Sequence, residues 1–222
     1  MDEGDSVSSD LLEAIERHDV TQLAALLAAG ADPNVDPPSQ PSWAPLKLAV
    51  CELTEGGPIE AVVLLLRNGA RVDGGRDPSG VTPLVVAANF GLVEAARLLL
   101  AAGADPNVRD DTGDSPLRLA VEERNHAMAA QLLLCGADKT IHDSGGCSGM
   151  SALGRAAWGL DIPMIQLLLS AGADPKETDL DLQTAKERLP AREESDTQLW
   201  DVAAALLEQR HAAPGSSSGG EQ

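Results

Sequence analysis

Apolar residues in this chain fall at helical spacing and return in blocks of nearly constant length. Val20, Leu23, Leu26 and Leu27 mark one face of a helix, as do Leu199, Val202, Leu206 and Leu207 near the other end. The clearest block is Asp77 to Arg109, DPSGVTPLVVAANFGLVEAARLLLAAGADPNVR. Its marks return 33 residues later: Asp77 with Asp110, Gly80 with Gly113, Pro83 with Pro116, Gly103 with Gly136. A period of this size is the mark of stacked repeats, each a unit that cannot bury its apolar face alone. The block predicts a turn, a short helix, a second turn and a longer helix. Thr82 caps the short helix, and Pro83 fits its first position, where the missing N–H would have had no partner. Ala87 and Ala88 are small enough to let neighbouring helices approach. Leu98, Leu99 and Leu100 close the longer helix, and Gly103 supplies the left-handed residue that ends it.

With that block as register, six units are expected at 10–35, 40–73, 77–109, 110–142, 146–178 and 179–210. The first lacks its opening hairpin: Asp10 to Arg17 and Asp19 to Ala29 supply two helices, and Gly30 ends the second. The next begins after a proline-rich loop (Pro37, Pro38, Pro41), with Trp43-Ala-Pro-Leu46 in the turn. It carries extra residues within Glu52 to Pro58, where Gly56-Gly57 favours a longer loop. The fifth unit has a lengthened hairpin through Gly145, Gly146 and Gly149. The last is degenerate: a short helix at Thr184 to Leu189 stopped by Pro190, then a longer one at Asp196 to Arg210. Residues 1–9 and the Gly/Ser-rich 211–222 lack apolar anchors and are expected to be disordered.

The pattern DxxGxTPLxxAAxxGxxExxxLLLxxGADxN resembles the ankyrin repeat. The resemblance covers about five units plus a degenerate C-terminal cap, and it implies an all-α repeat solenoid of helix-turn-helix units with β-hairpin-like loops. One departure is consistent. Where the family usually places a histidine after TPL, this chain has Lys47, Val85, Arg118 and Gly154. That histidine normally ties adjacent hairpins, so differently wired loops are expected.

Charge narrows the function classes. Thirty-five acidic residues against 16 Lys and Arg give a formal net charge of −19, a field that repels nucleic acid and anionic membranes and favours a basic partner. An acidic surface also keeps an apolar-rich repeat array soluble. Three cysteines, Cys51, Cys135 and Cys147, are too few and scattered for a disulfide framework. The N-terminal residues are acidic and polar, and no apolar run reaches the ~18 residues a membrane span requires. The chain is expected to be intracellular, in cytoplasm or nucleus, and monomeric.

Residues for catalysis do not assemble into a motif. His18, His126, His142 and His211 lie beside no nucleophile signature, and neither GxxxxGK[ST] nor a strand-borne GxGxxG occurs. No cofactor, metal site or enzymatic activity is expected. The rival reading places a metal or enzymatic site in the fifth hairpin, with Cys135, His142 and Cys147; another makes the chain a permanent subunit of a larger assembly.

The resemblance implies a protein-interaction module (adaptor, scaffold or stoichiometric inhibitor) whose inner helices form a concave palm and whose hairpin tips act as fingers. Carried over by position, palm residues are Glu16 and Arg17, Cys51 and Glu52, Asn89 and Phe90, Glu122 and Glu123, and Trp158 and Gly159. Fingertips include Trp43, Val81, Asp111, Thr112, Asp114 and Met150. The chain has no Tyr, and of Trp43, Phe90, Trp158 and Trp200 the first three map to contact positions. An apolar–acidic–apolar groove follows: Phe90 and Trp158 flank Asp111, Asp114, Glu122 and Glu123, suited to a partner segment with basic and hydrophobic residues. The alternative is that Trp43 and Trp158 lie back over neighbouring hairpins and fill the gaps left by the missing histidines. Asn34 and Asn107 further resemble the asparagines that a 2-oxoglutarate-dependent hydroxylase modifies in ankyrin repeats. Pro33 and Pro106 precede them where an aliphatic residue is preferred, and a plain turn role is the alternative.

Overall fold

The computed structural model describes residues 3–35, 44–74, 79–145 and 148–208, with the side chains described from residue 9 on. Trp43 and the proline-rich loop before it, Asp77, Gly146, Cys147 and the segment from 209 onward lie outside these residues. Eleven α-helices are present among them: α1 Glu3–Glu16, α2 Val20–Ala28, α3 Pro45–Glu52, α4 Ile59–Arg67, α5 Pro83–Asn89, α6 Val93–Ala101, α7 Pro116–Glu122, α8 His126–Leu134, α9 Ala152–Trp158, α10 Ile162–Ser170 and α11 Thr197–Glu208.

The helices stack in two rows. Helices α1, α3, α5, α7 and α9 pack in sequence as an inner row, and α2, α4, α6, α8, α10 and α11 as an outer row. Inner helices are short because each is bounded by local chemistry. Thr82, Ser115 and Ser151 cap α5, α7 and α9 by accepting from the N–H groups of Val85, Arg118 and Gly154 at 3.3, 3.3 and 3.1 Å. Proline fills the first position of α3, α5 and α7. Outer helices α2, α8 and α10 are capped by Asp19, Asn125 and Asp161. Gly30, Gly69, Gly103, Gly136 and Gly172 follow the outer helices α2, α4, α6, α8 and α10, with φ between 86° and 100°, where a side chain would be strained.

Inner helices are wrapped on nearly every side. In α5, Pro83 to Ala88 are all buried, with Leu84, Ala87 and Ala88 fully so. Leu99, Leu117, Leu132, Ile165 and Leu168 join them in one continuous core. At roughly 1.5–3 kcal/mol for each fully buried large apolar side chain, this shared burial holds the stack together. Of the three leucines expected to close α6, Leu99 is fully buried while Leu98 and Leu100 pack at its margin.

Several expectations change. The N-terminal helix begins at Glu3 and not at Asp10. Once Leu11, Ala14 and Ile15 anchor that helix in the core, each added turn gains a hydrogen bond per residue with no proline to stop it. The extra residues after Glu52 form a 3-10 turn, Leu53–Glu55, closed by Gly57 N–H donating to Glu52 O at 2.8 Å. Among the described residues the hairpins contain no strand, only isolated antiparallel bridges, Ser144 with Ser151 and Thr178 with Thr184. In the last unit Thr184 to Leu189 is a single turn and not a helix, its ends tied by Thr184 and Glu187 in reciprocal capping bonds. Pro190 leaves too few residues after that turn to propagate one. The buried face of α11 is Ala203, Ala204 and Leu207, while Leu199 and Val202 face outward. The helix packs on α10 and on the 3-10 turn Arg192–Glu194, which leaves Leu199 and Val202 partly exposed.

The hairpins are wired without the missing histidines. Arg109 grips Asp143 with two hydrogen bonds, Nε to Oδ2 at 2.5 Å and Nη2 to Oδ1 at 2.8 Å, across one hairpin step. Asp111 N–H donates to Ser79 O at 2.8 Å, and Leu180 N–H to Gly149 O at 3.2 Å. Arg118 is buried beside Asp114, which it pairs within its own unit. In the fifth unit Gly154 leaves the space open. A Cβ there would stand 3.5 Å from the Arg188 side chain, which comes in from the last unit.

Candidate functional site

The inner helices pack side by side in chain order, so the residues closing them follow one another along the stack. Phe90 is the C-cap of α5, and Trp158 is the last residue of α9. Both rings remain open to solvent, 56% and 51% exposed, because α5 and α9 end before the rings reach the core. Helix α7 packs against both α5 and α9, which places Glu122 and Glu123 between the rings. Asn89 is exposed beside Phe90.

Trp158 is half exposed and has a cation over its ring. The Arg155 guanidinium sits above its ring, 4.6 Å from the centroid, a cation–π arrangement one helical turn apart. Arg155 Nη2 also meets Glu122 Oε1 at 2.5 Å. On the far side, Arg118 Nη1 lies 3.8 Å from Glu122 Oε2, and neither of those two atoms has a hydrogen-bond partner. Arg118 is held in turn by Asp114, which also accepts from Thr112 Oγ1 at 3.0 Å. The groove's centre is therefore a chain of alternating charge, Asp114–Arg118–Glu122–Arg155, ending on an aromatic face.

Two of the four expected acids are thus engaged by arginines. Asp111 and Glu123 are exposed and stand outside these pairs. Sequence reasoning missed Arg118 and Arg155 as members of the site. Their signal was present: Asp114, Arg118 and Glu122 lie at i, i+4 and i+8, and Arg155 and Trp158 at i and i+3.

A second polar knot closes the groove. The buried Asp161 carboxylate meets His126 Nε2 at 2.7 Å and Arg124 Nε at 3.2 Å. A cleft of about 60 Å³ lies among Glu122, Arg124, Arg155, Trp158 and Asp161. Small-molecule pockets usually span about 300–1,000 Å³, so this one suits water and not a substrate.

The N-terminal inner helices carry charged groups of their own. Glu16 is exposed, Arg17 pairs with Glu13 at 2.5 Å, and Glu52 Oε2 lies 2.9 Å from His18 Nε2. Burial pushes the half-buried Cys51 thiol above its usual range, which keeps it protonated. Met150 is half-buried in the fifth hairpin.

Asn34 and Asn107 do visible structural work. Asn34 Nδ2 donates to Gly69 O at 3.0 Å and its Oδ1 accepts from Arg71 N–H at 2.7 Å. Asn107 Nδ2 donates to Gly136 O at 2.7 Å. Each amide ties one loop to the loop of the following repeat. Among the described residues no group of three metal-ligating side chains converges; Cys147, one of the three named for a metal site, lies outside them. Asp143, next to His142, is committed to Arg109. Also among the described residues, no helix is long and apolar enough to cross a membrane.

A two-row helical stack with loop-to-loop amide clamps is the architecture of a stacked-repeat protein. The family model for ankyrin repeats matches in three overlapping copies, over residues 11–110, 48–143 and 103–179. The chain belongs to the ankyrin-repeat family. Proteins of this family are typically non-enzymatic, and their repeats generally mediate protein–protein interactions. The fold is similar to the crystal structure of EF0377, an ankyrin repeat protein, with a TM-score of 0.72 and 22% identity, covering 90% of this chain and 96% of that one. No curated protein matches the chain.

Proposed function

We propose that this chain is a non-enzymatic adaptor, scaffold or stoichiometric inhibitor that takes a partner segment with basic and hydrophobic residues across its inner helices. The observation that carries the reading is the pair of exposed rings, Phe90 and Trp158, on α5 and α9 with α7 and its terminal Glu122 and Glu123 between those helices. Exposed aromatics at the rim of a groove are the usual anchors of a protein interface. Trp43 joins them on sequence grounds.

The acidic element is narrower than four carboxylates. Asp114 and Glu122 already hold Arg118 and Arg155, and Glu52 meets His18, so Glu123 and Asp111, with Glu16 further along, are the groups that meet a partner's Lys or Arg. The partner's apolar side chains then sit on Phe90 and Trp158, its basic ones between and toward α1. The chain acts as a monomer inside the cell.

A peptide array in which Lys/Arg number and hydrophobic spacing vary independently tests this reading. The wild-type chain should select peptides rich in both. Combined Phe90→Ala and Trp158→Ala should weaken the selected peptides at least about tenfold, the cost of losing two interface anchors, without lowering the melting temperature. Selection unaffected by the double variant would refute the groove.

A further inference from the structure

Arg155 fills a site whose parts would serve a guanidinium from outside the chain equally well. It lies in the last turn of α9, where the helix dipole favours a cation, and Trp158 leans back over that turn. The guanidinium comes to 4.6 Å from the ring centroid and meets Glu122 Oε1, from the neighbouring α7, at 2.5 Å. An aromatic face with a carboxylate at its edge is what recognises an arginine.

Two further acceptors at this place are unused. Glu122 Oε2 and Asp161 Oδ2 are buried and accept no hydrogen bond, and the Asp161 side chain is only 5% exposed. Arg118 Nη1 lies 3.8 Å from the first and Arg124 Nε 3.2 Å from the second, so each oxygen has a charge nearby without an aligned donor. Both acids line the cleft of about 60 Å³ beside Trp158, together with Arg155 itself. A buried acceptor without a hydrogen bond is costly and marks a place where a donor belongs. Arg155 is not locked in. Its side chain is 23% exposed against 5% for Arg118, and among the described residues Glu122 is its one carboxylate partner.

We infer that Arg155 is an internal stand-in for a partner's arginine: it fills the Trp158–Glu122 site in the free chain and gives way when an arginine of the bound segment takes over the ring and the carboxylates. The inference rests on the reading of α5, α7 and α9 as the partner-binding face. Arginine suits the site better than lysine, because a planar guanidinium stacks on the indole and donates along several directions at once, whereas an ammonium is a strongly hydrated point charge. Its methylenes also meet the apolar demand of the Trp158 ring. An internal occupant lowers the affinity for any ligand by the fraction of time the site stands open, so partners that bring charge alone bind too weakly to displace it.

The test removes the occupant and offers a replacement. The full chain, labelled with fluorotryptophan, is titrated with ethylguanidinium and separately with ethylammonium, and the Trp158 fluorine resonance is assigned from Trp158→Phe. In Arg155→Ala that resonance should shift and saturate with millimolar ethylguanidinium, and respond far less to ethylammonium. Wild type should bind ethylguanidinium at least about tenfold more weakly, since its own guanidinium competes at high local concentration. Arg155→Lys keeps the charge beside Glu122 but stacks less well; it should fall between the two, and it decides the matter if the alanine variant does not fold. In a second arm, Arg155→Ala should bind an Arg/Leu amphipathic peptide about threefold or more tighter than wild type does, with a smaller gain for the Lys/Leu counterpart. An equal gain for both peptides would reduce the effect to a lost positive charge and overturn the inference. So would the absence of a saturable ethylguanidinium shift in both variants, or an equal shift in wild type. Peptide selection untouched by Phe90→Ala with Trp158→Ala would sink the groove reading separately, because uptake of ethylguanidinium by Arg155→Ala needs no partner.

Discussion

Arg188 Nε donates to Asp179 Oδ2 at 2.6 Å, joining the last hairpin to the turn that stands in place of a sixth inner helix. The contact passes beside Gly154, where a Cβ would stand 3.5 Å from the Arg188 side chain and 3.8 Å from Asp179 Oδ2. In a unit with few apolar residues to bury, one charge-assisted bond substitutes for helix packing.

That bond makes the terminal unit sensitive to acid. Burial raises the Asp179 carboxyl, but the Arg188 hydrogen bond and the N–H groups of Gln183 and Asp181 outweigh it, so the group lies below the ordinary carboxylate range. A carboxylate lower in the folded state than its unfolded value of about 3.9 stabilises fully above that value, and loses the contribution as pH falls through the folded one. The terminal unit should therefore be unaffected from neutral pH to about pH 5 and loosen first below about pH 4. Trp200, whose Nε1 donates to Pro190 O at 2.9 Å, reports it in a chain with Trp43 and Trp158 changed to Phe. Asp179→Asn should abolish the acid transition and cost about 2–3 kcal/mol at neutral pH, since it leaves Arg188 poorly paired.

Two glycines should respond oppositely to alanine. A Cβ at Gly145 would lie 2.1 Å from Gly113 O, a backbone atom that moves only with its hairpin. Gly145→Ala should destabilise by about 2 kcal/mol or more. At Gly154 the neighbours are side chains at 3.2 and 3.5 Å, and the helix favours alanine by about 1 kcal/mol, so Gly154→Ala should be nearly neutral. Thermal melts compare them directly.

Within the groove, Glu122 and Glu123 should separate stability from binding. Glu122 holds Arg155 at 2.5 Å and faces Arg118, so Glu122→Gln should lower stability by about 1 kcal/mol. Glu123 is exposed and outside these pairs; Glu123→Lys should leave the melting temperature within a degree or two and weaken a basic peptide severalfold. Equal loss of binding in both variants with no change in stability would contradict this division.

Helix α11 offers a check on which face is packed. Leu207→Ala should cost about 2–3 kcal/mol, whereas Leu199→Ser should stay within about 0.5 kcal/mol. Urea denaturation of the two variants decides it.

The short helices starting at Pro83 and Pro116, and the left-handed Gly30, Gly69 and Gly103, were legible because capping and turn chemistry are local and bind specific residue types to fixed offsets. The 33-residue return of those marks established the stacked-repeat class, since one unit alone has nowhere to bury Leu84 or Leu99. Phe90 and Trp158 were assigned to contact positions by the family resemblance once the repeat register was fixed. What surrounds them was not legible in advance. Arg155 is a polar residue in a helix pattern until α7 and α9 pack and bring Glu122 within 2.5 Å of it. Likewise the sequence pattern put the apolar face of α11 along Leu199, Val202, Leu206 and Leu207, and only tertiary packing selected the one through Ala203, Ala204 and Leu207. Periodicity and turn chemistry determined the repeat and its register because they act within a few residues. Ion pairing and exposure were decided by the tertiary structure, because they depend on which neighbour each unit meets.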